Sequence, residues 1–198
     1  MIVWLNGAFG AGKTTTAYEL HRRLEHSCVY DPENVGYFLR KNMPEECLTP
    51  DFQDMVLWRS FNYQLLKELH ETFGGTVIVP MTLAHPVYYD EIIQRLLDAG
   101  LPVAHIILYA SREAILRRLK KRSLGRLGRE AFAVNAIDRC LEYFDGQETA
   151  LKIVTDNMRI GQVVEEIGEA CGLSLLPDGR NGVVAGMERL TIWLRHIR

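Results

Sequence analysis

An α/β fold built on a parallel sheet is predicted for this chain by three observations. Gly7 to Thr14 reads Gly-Ala-Phe-Gly-Ala-Gly-Lys-Thr, the phosphate-loop spacing in which two glycines precede Lys-Ser/Thr. That loop lies between a short apolar run, 2–5, and a helical pattern from Thr15 to Leu24, so a strand feeds a tight turn that opens a helix. Further short apolar runs at 28–30, 76–79, 103–108 and 151–154 alternate with amphipathic stretches, the order that gives a parallel sheet flanked by helices.

At 198 residues the chain has the length of one domain. A net charge of −2 is too small to suggest a nucleic-acid partner. The four cysteines, Cys28, Cys47, Cys140 and Cys171, form no Cys-x-x-Cys pair and have no histidine cluster beside them. They are expected to be reduced and mostly buried, without a metal centre among them. The phosphate loop begins almost at once, leaving no room for a leader, and no apolar run approaches a membrane span, so a cytoplasmic location is expected.

The loop works through its backbone. Glycines let successive N–H groups curl inward, and the helix N-terminus adds its positive dipole end, making a cradle for a polyphosphate. The candidate nucleotide-binding residues are therefore Gly7, Ala8, Phe9, Gly10, Ala11, Gly12, Lys13, Thr14 and Thr15. Lys13 would reach the outer phosphates of ATP as a point charge, and the Thr14 hydroxyl would ligate Mg²⁺.

After the first helix, the second apolar run ends at Asp31-Pro32-Glu33. An acid leaving a strand is well placed, because ligands of open parallel sheets sit beyond the carboxyl ends of the strands. Asp31 is a candidate for accepting a hydroxyl proton or supporting Mg²⁺, with Glu33 as a second candidate; Asp-Pro-Glu also suits a helix N-cap. The helix that follows ends in Arg40 and Lys41, cations that suit its C-terminal dipole. From Asp51 to Phe73 the pattern is helical again, with a broad apolar face. Such a face is usually core, yet Trp58, Arg59 and Tyr63 together would also suit a pocket for a ring-bearing substrate.

Gly74-Gly75 stops that helix, and the run 76–79 leads into Pro80-Met81-Thr82. Many phosphate-loop proteins place an acid there to orient the metal's water shell, and none is present, which directs attention back to Asp31 and Glu33. Thr82 and His85 lie just beyond the strand. A helix over 88–99 and the run 103–108 lead to a cation-rich helix from Ser111 through Arg122, which continues past Arg126 and Arg129 around glycines. Such a stretch is either a solvated face or a lid whose arginines close over phosphates. Helices over 132–144 and 158–171 flank the run 151–154. In the tail, Val183, Met187, Leu190, Trp193, Leu194 and Ile197 share one helical face. That helix is expected to pack on the domain or on a second subunit, with a peripheral position on the inner membrane face as the other reading.

Several runs together resemble the bacterial tunicamycin-resistance proteins: Trp4-Leu5-Asn6-Gly7-Ala8-Phe9-Gly10, Tyr30-Asp31-Pro32-Glu33-Asn34-Val35-Gly36-Tyr37-Phe38, Asp51-Phe52-Gln53-Asp54, Val79-Pro80-Met81-Thr82 and the final Leu194-Arg195-His196-Ile197-Arg198. More broadly, the chain resembles phosphate-loop NTPases of the nucleoside-monophosphate-kinase type. That resemblance implies a single-domain, five-stranded parallel sheet over 1–172, an arginine lid at about 117–130, and a loop and amphipathic helix over 173–198. It implies that Arg118 lies against adenine, that Arg122 and Arg126 face the phosphates, and that Thr155 and Asp156 border the base. Glu33, Tyr37, Arg40, Trp58, Arg59 and Thr82 are the candidate substrate-binding residues. The implied partner is a small molecule, a uridine-containing nucleoside antibiotic. Three activities fit: ATP-dependent phosphorylation of a drug hydroxyl, ATP-dependent sequestration of the drug, and a cellular nucleoside or nucleotide kinase.

Overall fold

The computed structural model describes residues 1–123, 130–147 and 150–180. Its centre is strand β1 (Ile2–Asn6), every residue of which is buried. β1 pairs in parallel with β3 (Thr76–Pro80) on one side and β4 (Val103–Tyr109) on the other. The short β2 (Ser27–Val29) adds to β3, and β5 (Leu151–Val154) adds to β4, giving a five-stranded parallel sheet in the order β2-β3-β1-β4-β5. A strand buried on both faces needs no polar alternation, which is why 2–5 and 76–79 read as continuous apolar runs.

The two faces are nevertheless distinct, because successive side chains point to opposite sides. Ile2, Trp4, Val77 and Val79 face a layer containing α2 (Glu33–Asn42) and α3 (Val56–Phe73). The same layer includes the helical segment α4 (Pro86–Tyr89), a π-helical turn at Asp90–Gln94, and α5 (Arg95–Asp98). Val3, Leu5, Ile78, Ile106 and Ile153 face α1 (Lys13–Arg22) and α9 (Ile160–Cys171). A third cluster under α6 (Arg112–Arg122), α7 (Ala131–Asn135) and α8 (Ile137–Asp145) packs Ile115, Leu119, Ile137 and Phe144 on Ile107.

Three expected helices are interrupted. The helix expected over 51–73 is a 3₁₀ turn at Phe52–Asp54 followed by α3, with Met55 extended between them (φ −75°, ψ 119°). Asp51 caps the start of that turn by accepting from the Gln53 amide, and the extended Met55 separates it from α3. The helix expected over 132–144 breaks at Ala136 into α7 and α8. The helix over 88–99 begins at Pro86 and carries the π turn, whose extra residue shifts the helix phase where Ile92 and Ile93 both enter the core. All four cysteines are free, but only Cys140 is buried; Cys47 is exposed, and Cys28 and Cys171 are intermediate. Among the described residues no helix is long and apolar enough to cross a membrane. The expected tail helix from Val183 lies outside the described residues, as does Arg126 of the expected lid.

Candidate functional site

The loop between β1 and α1 is shaped by three left-handed glycines, Gly7, Gly10 and Gly12 (φ 138°, 84° and 104°). At Gly7 the geometry admits nothing larger, since a Cβ there would lie 2.5 Å from the Leu108 carbonyl oxygen. Gly7→Ala is therefore expected to lower the thermal midpoint by roughly 5–10 °C, from strain of about 1–3 kcal/mol plus a rigid backbone clash. Gly100→Ala is the control. Gly100 also has a positive φ, of 78°, but no atom within 4 Å of its would-be Cβ, so its midpoint is expected to fall by less than half as much.

The base of the loop is clamped by a residue that sequence reasoning missed. Asn6 is fully buried, and its Oδ1 accepts from the Gly7 and Leu83 amides at 2.9 Å each, while its Nδ2 donates to the Leu83 carbonyl at 3.0 Å. Its Nδ2 also lies 3.1 Å from Nε2 of His105, an imidazole that burial holds neutral by pushing its pKa down to about 4. The Thr82 hydroxyl completes the clamp by donating to the Gly7 carbonyl at 2.9 Å. Thr82, expected as a substrate-binding residue, commits its hydroxyl proton to the loop.

Lys13 opens α1. Its ammonium donates to the Gly7 and Ala8 carbonyls at 2.9 and 3.0 Å and sits 5.6 Å from the Phe9 ring centroid. Burial pulls its pKa down to about 8, partly opposed by the negative charges of Glu33 and Asp31, while Arg122 pushes the same way as burial. The negative charges of the acids that follow β2 thus favour the protonated form of the loop lysine. Asp31 also caps α2, with its Oδ1 accepting from the Glu33 amide at 3.0 Å. Thr14 and Thr15 follow Lys13 in the first turn of α1.

On the other side, Arg118 ties α6 to the loop. Its guanidinium donates to the Ala11 carbonyl at 3.2 Å, to the Thr155 hydroxyl at 3.1 Å and to the Thr155 carbonyl at 2.6 Å. The Asp156 carboxylate accepts from the Ser111 amide and hydroxyl, which holds its pKa below the usual range and fixes the start of α6. Arg118, Thr155 and Asp156 are therefore gathered beside the phosphate loop by their own hydrogen bonds. Arg122 pairs with Glu130 through both Nε and a second guanidinium nitrogen.

A cleft of about 380 Å³ opens beside the loop. Phe9, Tyr37, Phe52, Met81 and Phe132 supply its apolar walls, and Glu33, Arg40, Asp51 and Gln53 its polar ones. Tyr37 donates to Glu33 at 3.3 Å. Arg40 bridges α2 to the following loop, donating to the Pro50 carbonyl at 2.6 Å with its guanidinium 5.4 Å from the Phe52 ring centroid. Gly36 makes room for that ring, since a Cβ there would meet it at 2.5 Å.

Trp58 and Arg59 do not line this cleft. Trp58 is wholly buried, donates its indole N–H to the Pro32 carbonyl at 3.0 Å and packs behind Phe52; it is core rather than wall. Arg59 is 6% exposed, paired with Glu91 at 2.7 Å and donating to the Gln53 carbonyl at 2.5 Å, so it braces the 52–54 turn. Tyr63, grouped with them, lies in the same core under the Arg95 guanidinium. Helical spacing marks an apolar face, but not which part of it the sheet covers.

A smaller pocket of about 70 Å³ shares Phe9, Asp51 and Gln53 with the cleft and is completed by Asp54, Thr82, Tyr88 and Arg139 among others. The Asp51 carboxyl is pushed up by burial, against the pull of Arg139 and Arg40. Although no acid follows β3 in sequence, the 51–54 turn thus brings two carboxylates beside Thr82. Among the described residues no group of three His, Cys, Asp or Glu side chains could hold a metal ion by itself.

Residues 3–133 match the AAA domain family. Among solved structures, the tunicamycin resistance protein of Deinococcus radiodurans superposes with a TM-score of 0.73 at 31% identity, over 89% of this chain and 98% of that one. The APS kinase CysC of Mycobacterium tuberculosis superposes with a TM-score of 0.58 at 17% identity, over 85% and 95% of the two chains. Deoxyadenosine kinase from M. mycoides does so with 0.53 at 17%, over 87% and 99%. At 17% identity the likeness concerns the fold alone. No curated protein sequence matches the chain.

Proposed function

The chain belongs to the AAA domain family and to the family of the tunicamycin resistance protein, and from that premise we propose that it is an ATP-dependent phosphotransferase acting on a hydroxyl of tunicamycin or a related nucleoside in the cytoplasm. The observation that supports this reading most is the facing of Lys13 by Asp31 and Glu33. It associates a cationic phosphate contact with two acids, of which Glu33 lines the cleft and Asp31 precedes it by two positions.

The chain's own residues fit both partners of such a reaction. At Gly7, Gly10 and Gly12 the left-handed backbone carries no Cβ, which suits the curled loop of a phosphate cradle. Mg²⁺ is commonly held by one or two protein oxygens together with substrate phosphates, and the Thr14 hydroxyl and the Asp31 carboxylate are the oxygens this chain would contribute. Bound Mg²⁺-ATP supplies the phosphoryl group in activated form. Lys13 would neutralise charge on the outer phosphates, with Arg122 of α6 adding to that field; Arg126, given the same role by sequence, lies outside the described residues. Arg118 and Thr155 frame the adenine side. Glu33, Tyr37 and Arg40 hold the acceptor in the cleft so that its hydroxyl faces the transferred group. As the new O–P bond forms and the bond to the leaving ADP oxygen breaks, Asp31 accepts the hydroxyl proton.

Incubation with Mg²⁺-ATP and tunicamycin, followed by mass spectrometry of the drug, tests this. A phosphorylated product formed over many turnovers is the expected result. Drug that binds only with ATP present and is recovered unmodified would replace catalysis by sequestration.

The lysine also predicts a pH dependence. Only its protonated form attracts phosphate, and its pKa in the free protein is about 8. The affinity for AMPPNP should be constant below pH 8 and fall by up to about tenfold per pH unit above it. Calorimetric titration across that range measures the break.

A further inference from the structure

Two features of the acceptor side are unused by the reading above: the small pocket beside Thr82, and the engagement of the nearby arginines. The pocket joins the cleft through Phe9, Asp51 and Gln53, which line both. It holds two carboxylates, Asp51 and Asp54, against one guanidinium, Arg139, together with the His85 ring, whose Nδ1 accepts from the Val87 amide. Asp54 accepts a hydrogen bond from the Tyr88 hydroxyl, and the Thr82 hydroxyl is committed to Gly7. The other cations of this side are already engaged. Arg40 donates to the Pro50 carbonyl, and Arg59 is paired with Glu91 and the Gln53 carbonyl.

That inventory has a chemical meaning. Acceptor phosphates are bound by free guanidinium forks, and here a phosphate would meet a wall carrying excess negative charge. Sugar hydroxyls have the opposite preference, since each donates a charge-assisted hydrogen bond to a carboxylate. The pocket of about 70 Å³ is the smaller of the two spaces, and its two carboxylates can each accept from one hydroxyl of an adjacent pair. The cleft of about 380 Å³ has room for the ring itself.

We propose that the pocket lined by Asp51, Asp54 and Arg139 is a subsite for the vicinal diol edge of a neutral sugar in the acceptor, and that it makes the protein discriminate against phosphorylated acceptors. This rests on the phosphotransferase reading and narrows its substrate class: the acceptor is a nucleoside or glycoside, not a nucleoside monophosphate. Asp51 and Asp54 act in it as positioning residues for the acceptor. The proton acceptor remains Asp31, which is not among the residues lining the pocket.

Calorimetry on the full chain with AMPPNP present tests it, with tunicamycin, uridine, 2′,3′-dideoxyuridine and UMP as probes. Wild type should bind uridine at least tenfold more tightly than UMP, a comparison that needs no variant. Asp54→Asn should weaken tunicamycin binding by about tenfold or more and leave AMPPNP affinity within about twofold, the latter reporting that the variant is folded. Uridine binding better than its dideoxy analogue would place the ribose diol in the pocket. Equal binding of those two, with tunicamycin still weakened by Asp54→Asn, would place another sugar of the drug there.

Either UMP bound as tightly as uridine, or Asp54→Asn with unchanged tunicamycin affinity, overturns the subsite. If tunicamycin is phosphorylated while its affinity ignores Asp54→Asn, the phosphotransferase reading survives and the subsite does not. If tunicamycin is not bound but uridine is, with diol dependence and rejection of UMP, the subsite survives and the drug is the wrong acceptor. Binding of none of the neutral probes overturns both.

Discussion

Lys13→Ala is expected to lower ATP-dependent transfer by about 10³-fold or more, measured as product formed per turnover time by mass spectrometry. The side chain carries the charge that the phosphate loop places nearest the reacting phosphates, and alanine replaces it with nothing. The fold should survive. Burial of the ammonium pulls its pKa from 10.5 to about 8, so its charged form is a cost to the folded state below pH 8, relieved as the pH rises from about 8 towards 10.5. The thermal midpoint of Lys13→Ala at neutral pH is therefore expected to hold or rise. A variant that loses both activity and stability would mean that the two hydrogen bonds to Gly7 and Ala8 outweigh the desolvation of the charge.

Asp31→Asn should remove transfer while leaving nucleotide binding largely intact, with a loss on the order of 10²–10⁴-fold in turnover. Asparagine keeps an oxygen that can accept from the Glu33 amide, the bond that Asp31 Oδ1 makes at 3.0 Å, so the start of α2 is preserved. What it lacks is a site for the acceptor's proton. A second consequence follows from the charge Asp31 places near Lys13. Removing a group that raises the lysine pKa should move the onset of the pH-dependent fall in AMPPNP affinity to lower pH than in wild type. Calorimetry at several pH values measures this independently of turnover. If the onset stays put while turnover is lost, Asp31 acts on the acceptor alone.

Both residues were legible because each is announced locally. Lys13 sits in a motif whose spacing is fixed by how a backbone can wrap a phosphate, and Asp31 follows a strand in a sheet whose parallel order was apparent from alternating apolar runs. Trp58 and Arg59 illustrate the opposite case. Their positions on a helix were readable, but an apolar stripe carries no label for which neighbour covers it. The structure covers Trp58 completely and turns Arg59 toward Glu91.

By itself, then, the amino-acid sequence determined the phosphate loop, the five apolar runs that become strands, and the acid beyond β2, since each depends on residues within a few positions of one another, while their alternation with helices gave the parallel class. Only the tertiary structure decided the rest. Asn6 and Thr82 clamp the loop through bonds between residues 77 and 75 positions apart, and Arg118 reaches Ala11 at a separation of 107. The break at Met55 and the placing of Asp51 and Asp54 beside Thr82 depend on packing of the same kind. Such contacts follow from which surfaces meet when the sheet closes on its helices, and no local periodicity encodes them.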